Sequence, residues 1–175
     1  FEIHVTSDQP RAFSGIINWT VTDVQGKTLD KGSKPVKAAP RANSRVATLQ
    51  FKKLLDQVGA NNFMLWIELN DASGDLVSSN FASYARPKHF ELADPGVEVR
   101  AKKIGEKRFE IRLKAAQPAL WAWLELKKAD ARFSDNYIFL RPGTERLITA
   151  ETDKDLGLEQ FQKEITVRSL FDTYV

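Results

Sequence analysis

The sequence contains no cysteine. That removes a disulfide framework, a Cys-ligated zinc site and a thiol nucleophile together. It has two histidines, His4 and His89, which leave little for a histidine-based metal centre. No apolar run approaches the roughly 18 residues that a membrane-spanning helix needs. Charge of one sign is lacking as well: 26 basic residues face 23 acidic ones, a net of +3. Residues 1–91 carry 11 basic and 9 acidic residues, and residues 92–175 carry 15 and 14, so neither half concentrates Lys and Arg as nucleic-acid binders do. Lys27, Lys31, Lys34, Lys37, Arg41 and Arg45 lie in a loop-rich stretch without interleaved aromatics and read as solvated surface. There is no Gly-x-Ser-x-Gly nucleophile elbow and no phosphate-binding glycine loop. Any catalysis would have to rest on carboxylates or hydroxyls. A glycosidase needs two carboxyl groups at a set separation, about 5–5.5 Å in retaining enzymes. With 23 acids, pairs are inevitable, and Glu68, Glu110, Glu125, Asp71 and Asp75 sit at polar strand positions or in turns.

What remains is an ordinary folding composition of 175 residues, 42% hydrophobic and 28% charged, enough for one domain or two small ones. The dominant period is two. Ile17, Trp19 and Val21 alternate with Asn18, Thr20 and Thr22. Phe63, Leu65, Ile67 and Leu69 alternate with Met64, Trp66, Glu68 and Asn70. Phe109, Ile111 and Leu113 alternate with polar residues, as do Leu120, Ala122, Leu124 and Leu126 with Trp121, Trp123, Glu125 and Lys127. Each run predicts a strand with one face on a core. Turn signals separate them at Gln25-Gly26, Ser73-Gly74-Asp75, Ile104-Gly105-Glu106 and Pro142-Gly143, the last fitting a type II turn with positive φ at the glycine. Phe51–Asp56 and Leu158–Glu164 read as short helical turns within loops. The stretch 86–97, with Pro87, Pro95 and Gly96, reads as a linker. The expected fold is all-β: two tandem immunoglobulin-like β-sandwiches, residues 1–88 and 89–175, held by packing alone. Phe1 opens directly into strand-like sequence without an initiator Met or signal peptide, so a piece of a longer protein is expected.

The tryptophans carry the most information about function. Trp19 shares parity with the core residues of its strand. Trp66, Trp121 and Trp123 share parity with polar neighbours and are expected on the outer faces of their sheets. Three readings stand for them: a domain interface, a core covered on both sides, or a platform for stacking sugar rings. Asp71-Ala-Ser-Gly-Asp75 lacks the full ligand series of a calcium loop and reads as a hairpin turn. Asp130, Asp135 and Asn136 read as turn residues too. Asn18-Trp19-Thr20 matches the glycosylation sequon but lies inside a strand.

The run Ala131 to Gly143, with Phe133-Ser134-Asp135-Asn136-Tyr137 and the Pro142-Gly143 turn, together with Trp123-Leu124-Glu125, resembles the C-terminal immunoglobulin-like domain of β-mannosidases. Val167 to Tyr174 looks like that family's final strand, and Pro87 to Leu92 like its inter-domain segment. Thr144 stands where the family often has an acid. Over residues 1–85 the resemblance rests on position. It implies a parent that removes terminal β-linked mannose by double displacement in a (β/α)₈ barrel upstream. This chain lacks alternating βα units, so no catalytic residue, metal or cofactor is carried over. The implied partner is that upstream barrel of the same chain, with β-mannoside reached only through the parent, and with neither nucleic acid nor a membrane span. Trp66, Trp121 and Trp123 are the candidate contact residues. Phe133 and Tyr137 are expected to serve the core, and Asp135 and Asn136 to bond backbone groups in a tight connection. For a bacterial parent a periplasmic or extracellular location is favoured. A carbohydrate-binding sandwich that uses the same tryptophans is the alternative, and a fibronectin-type adhesion module the remainder.

Overall fold

The computed structural model describes residues 1–174. The chain divides into two compact units, Phe1–Glu91 and Leu92–Val175. The first contains β1 (Glu2–Ser7), β2 (Phe13–Thr22), β3 (Thr28–Ala38), β4 (Ala42–Thr48), the helix α1 (Lys52–Val58), β5 (Met64–Asp71) and β6 (Leu76–Ser83). Four strands form one antiparallel sheet in the order β3-β2-β5-β6, and β1 pairs with β4 in a second. The alternation in the sequence explains the layering. Ile17, Trp19 and Val21 of β2 lie opposite Leu69, Ile67 and Leu65 of β5. This inner face packs on Ile3, Val46 and Ala47 of the small sheet. Phe51 and Phe63 close one end of the core around Val21 and Leu65. Pro35 sits in β3, an edge strand, where the missing N–H breaks no ladder.

Trp19 owes its place to a glycine. Gly32 is its cross-strand partner in β3, and a Cβ built on Gly32 would enter the Trp19 indole. The ring therefore lies flat over bare backbone, which no other residue would permit.

The second unit contains β7 (Glu98–Lys103), β8 (Arg108–Lys114), β9 (Ala119–Leu126), β10 (Ala131–Phe133), β11 (Ile138–Leu140), β12 (Glu145–Thr152), the helix α2 (Leu158–Glu164) and β13 (Ile165–Arg168). Its two sheets run β10-β12-β8-β7 and β11-β9-β13. Phe109, Ile111 and Leu113 face Ala122, Leu124, Ile138 and Leu140 in one core. The helix α2 contributes more than a turn in a loop. Its Phe161 is fully buried and stacks on Phe109 with ring centres 3.9 Å apart. Burying such a ring contributes about 1.5–3 kcal/mol. Both units are thus immunoglobulin-like β-sandwiches, and the all-β expectation holds.

The turns match their chemistry. Gly143 has φ 74°, and the Thr144 N–H donates to the Arg141 carbonyl. The Asp71 carboxylate accepts the N–H groups of Ser73 and Asp75, so it stabilises a hairpin turn with Gly74 at φ 90°. Asn18 donates its side-chain amide to the Asn70 side-chain oxygen at 2.9 Å within the sheet.

The strand alternation fails at one place. Ile138 pairs with Ala122 and Leu140 with Ala119, so β9 spends one residue more than β11 over this span. Trp121 takes up the extra residue with φ 49°. This β-bulge resets the parity of β9. Ala119, not Leu120, joins Ala122 and Leu124 in the core cluster, while Leu120 is buried outside it.

Two predictions follow from packing and charge. Gly32→Ala should destabilise the chain by about 1–3 kcal/mol, as overpacking does, with a shifted Trp19 fluorescence in urea unfolding. An unchanged midpoint would remove the close approach. On the small sheet, hydrogen bonds from Arg45 and His4 hold the exposed Glu2 carboxyl below its ordinary pKa. The associated stability is present above the unfolded carboxylate pKa and is lost as pH falls through the lowered folded value. Arg45→Ala should move the Glu2 midpoint back up in an NMR titration.

Candidate functional site

The three tryptophans expected on outer faces lie in two different settings. Trp66 sits in β5 between Thr20 of β2 and Phe81 of β6, on the face opposite Trp19. It is buried, its indole N–H donates to the Thr22 hydroxyl at 2.9 Å, and its ring meets Phe81 edge-on at 5.2 Å. The hydrogen bond satisfies the one polar atom of a buried indole.

Trp121 and Trp123 lie on the outer face of the β11-β9-β13 sheet, both half-buried. They belong to a four-ring ladder. Trp121 meets Phe139 edge-on at 5.4 Å, and Trp123 stacks on Tyr137 at 6.1 Å with the ring planes 22° apart. Cross-strand aromatic pairs of this kind contribute about 0.5–1.5 kcal/mol beyond their area. Arg168 stands opposite Trp123 on β13 and lies 3.7 Å from Glu125, which adds a charged border to the aromatic strip. Phe139 is the member that parity reasoning overlooked. Its signal was its place two residues after Tyr137, between the core residues Ile138 and Leu140.

The motif 133–143 builds this ladder. Asn136 is its hinge. Its side-chain oxygen accepts the Leu124 N–H at 2.8 Å, and its side-chain NH₂ donates to the Leu124 carbonyl at 3.0 Å. The amide side chain thereby imitates one more residue of β11 pairing with β9, and it satisfies both backbone groups of a buried position. Asp135 accepts the backbone N–H of Asn136 and pairs with Arg146 at 3.0 Å. Phe133 packs partly buried against the core. Tyr137 does not, contrary to the expectation that it serves the core: it is 63% exposed. The reason is its backbone, which turns left-handed at φ 55° to start β11 and throws the ring outward beside Trp123.

Among the described residues no group of three or more His, Asp or Glu side chains is arranged to hold a metal ion. Among the described residues no helix is long and apolar enough to cross a membrane. What the site offers is an aromatic strip with a charged border. Such a surface binds by stacking and apolar burial.

Two open antiparallel sandwiches carrying such a surface define an immunoglobulin-like module. Residues 1–89 match the mannosidase Ig/CBM-like domain family, and residues 92–173 match an Ig-fold domain family. The chain belongs to the mannosidase Ig/CBM-like domain family. Curated relatives include beta-mannosidase A of Aspergillus niger, 24% identical over 99% of this chain and 20% of its own length. Beta-mannosidase A of Aspergillus terreus is 27% identical over 98% of this chain and likewise 20% of its own length. The chain therefore spans about a fifth of the length of these relatives. Among solved structures, the β-D-mannosidase of Dictyoglomus thermophilum superposes with a TM-score of 0.82 at 19% identity, covering 96% of this chain and 20% of that one. The exo-chitosanase of Amycolatopsis orientalis superposes at 0.64 with 14% identity, covering 97% and 24%. At such identities the structures establish a shared fold.

Asn136→Ala should cost about 2 kcal/mol, since it orphans a buried donor and acceptor together. Asn136→Asp, which keeps the acceptor for Leu124, should cost less. Thermal unfolding of the two variants checks the order. Equal losses would mean that the acceptor half of the clamp contributes nothing and that the whole cost lies in the lost donor.

Proposed function

We propose that this chain is a non-catalytic C-terminal part of a β-mannosidase-like glycoside hydrolase, and that it supports the catalytic domain of that protein. The match of both units to mannosidase-type immunoglobulin-like families carries this reading. The parent would hydrolyse terminal β-D-mannosides with retention, using a carboxylate pair in a (β/α)₈ barrel upstream. The chain's own contribution is to bury aromatic surface against its neighbours in the parent, with Trp121 and Trp123 as contact residues, whereas Trp66 is already covered within its own unit.

Backbone strain supports a contact role for the ladder. Bulky residues at positive φ are costly, by roughly 1–2 kcal/mol. Trp121 and Tyr137 both adopt it, and both serve the same outer face. Strain kept at an exposed ring such as Tyr137 points to a use for that ring other than the stability of the unit itself.

The test compares the 175-residue chain with the full parent, using p-nitrophenyl β-D-mannopyranoside. The parent should hydrolyse it and the chain alone should not. Trp121→Ala and Tyr137→Gly should cost the isolated chain only about 1 kcal/mol each, the worth of one ring pair, yet lower the thermal resistance of the parent's activity by more. A large loss of stability in the isolated chain would make these rings core residues and end the contact reading.

One observation favours a second reading, a carbohydrate-binding module. Trp123 and Tyr137 lie nearly parallel, and Tyr137 is open to solvent. Saturable change of tryptophan fluorescence on adding manno-oligosaccharides, abolished by Tyr137→Gly, would support it. A flat titration would leave the structural role.

A further inference from the structure

The first unit is one strand short on one side. Immunoglobulin-like sandwiches of constant type have seven strands, divided four and three. The second unit has that division among its described residues, whereas the first has four strands facing two. The gap shows in the structure as a groove of about 450 Å³. Every residue from Glu2 to Gln9 lines one side of it, and Val77 to Asn80 line the other. Successive residues of a strand point to opposite faces, so a wall made of consecutive residues is the edge of a strand and not its face. The groove thus runs between the unpaired edge of β1 and the unpaired edge of β6.

Its floor is apolar and built from the core itself: Phe13, Ile17, Ile67 and Leu69. Above Ile67 and Leu69 the inward face of β6 is uncovered, since Asn80 and Ser78 share their face and are exposed. The edge of β1 carries free backbone groups. The Phe1 terminal ammonium donates to the Leu49 carbonyl, and the Phe1 carbonyl accepts the Leu49 N–H, both on the β4 side. The N–H and carbonyl of Glu2 therefore point away from β4, into the groove. Open edges of this kind recruit an extended segment, whose backbone completes the ladder and whose alternate side chains fill the floor.

We propose that the groove between β1 and β6 receives one more strand, antiparallel to β1, formed by the residues that lead into Phe1 in the longer protein. This rests on the reading of the chain as part of such a protein. Three features favour this occupant. The relatives extend over about five times the length matched here, at about a fifth covered. β1 begins at Glu2 with its groove-side edge open, so a strand joined to it by a hairpin would lie along it antiparallel. The slot also has the length of a strand, because β1 has six residues, or about 20 Å. A sugar fits the lining less well, since Phe13 is the only Phe, Tyr or Trp among the residues that line the groove. The incoming strand should alternate, with apolar side chains toward Ile67 and Leu69 and polar ones toward the face of Glu2 and His4.

Amide exchange followed by NMR tests this. The 175-residue chain is compared with the same chain extended by the ~20 residues its gene encodes before Phe1, enough for a strand and its hairpin. The expected result is a protection factor at the Glu2 amide that rises about tenfold or more, independent of protein concentration, as a paired edge requires. Each rate is referred to the unstructured rate for its own sequence, so that the loss of the Phe1 ammonium does not count. Several of the added amides should also be protected. A synthetic peptide of the added residues, titrated into the 175-residue chain, should slow Glu2 saturably and provides a second measurement if the extended chain is poorly behaved. Unchanged Glu2 exchange in both experiments overturns the proposal. So does protection that arises in the 175-residue chain with rising concentration, which would make the occupant a second copy. Protection by mannotriose alone would make it a sugar and overturn the proposal too. None of these outcomes touches the hydrolysis assay, which tests the parent's activity separately.

Discussion

The outward chemistry of the second unit depends on one extra residue in β9. Antiparallel pairing demands that side chains alternate, and the bulge at Trp121 breaks that rule once. Because of it, Ala119 and Ala122 both reach the core although three positions separate them. The same local turn places Trp121 beside Phe139 on the outer face, one rung from Trp123 and Tyr137. A bulge leaves ladder groups without partners. Asn136 makes good part of that deficit near the other end of β11 by offering its amide to both backbone groups of Leu124. The bulge and the amide clamp belong together: the first aims the β9 rings, and the second keeps the short strand β11 in register while Phe139 within it and Tyr137 just before it meet them.

With no cystine, each sandwich must be held by shape. The first unit does so by laying Trp19 on Gly32 and closing one end with Phe51 and Phe63. The second does so by driving α2 into the sandwich until Phe161 stacks on Phe109. The two solutions differ in how completely they cover the inner faces. In the second unit the seven strands and α2 enclose the core, with Phe109, Ile111 and Leu113 fully buried. In the first, the inner face of β5 and β6 runs on past the last strand of the small sheet, which is why Ile67 remains only partly buried beside fully buried Leu65.

Much of this was legible in the sequence. Period-two alternation located β2, β5, β8 and β9 and identified their inward residues, because a half-buried strand leaves no other pattern. Pro142-Gly143 and Asp71 to Asp75 announced their turns through the residues that positive φ and Asx hydrogen bonds require. The motif around Phe133 marked the family. Tyr137 was misplaced and the break in β9 parity was missed for one physical reason: the backbone turns left-handed at Trp121 and at Tyr137, and nothing in a Trp or Tyr announces that. A glycine or asparagine there would have flagged the break. The core role of Phe161 was also hidden, since a seven-residue helix gives too few turns for an apolar face to stand out. Phe139 was overlooked because a three-residue strand is too short to show alternation.

The two left-handed aromatic residues tie these observations together. A protein selected only for the stability of this sandwich would place small or flexible residues where φ is positive, since a Cβ there crowds the following carbonyl. Here those positions hold the two side chains that extend the aromatic strip furthest across the sheet's outer face, and Tyr137 gains little burial in return. Packing within the unit cannot account for a ring that is mostly in solvent. On the proposed contact reading, the benefit lies in what the strip meets. A surface made of edge-on and stacked rings, bordered by Arg168 and Glu125, suits an apolar, partly polar partner held by contact and not transformed by it. That would be the physical content of the proposed supporting role: the strained residues lie on the outer face, and the Asn136 clamp beside Tyr137 holds the start of β11 in position.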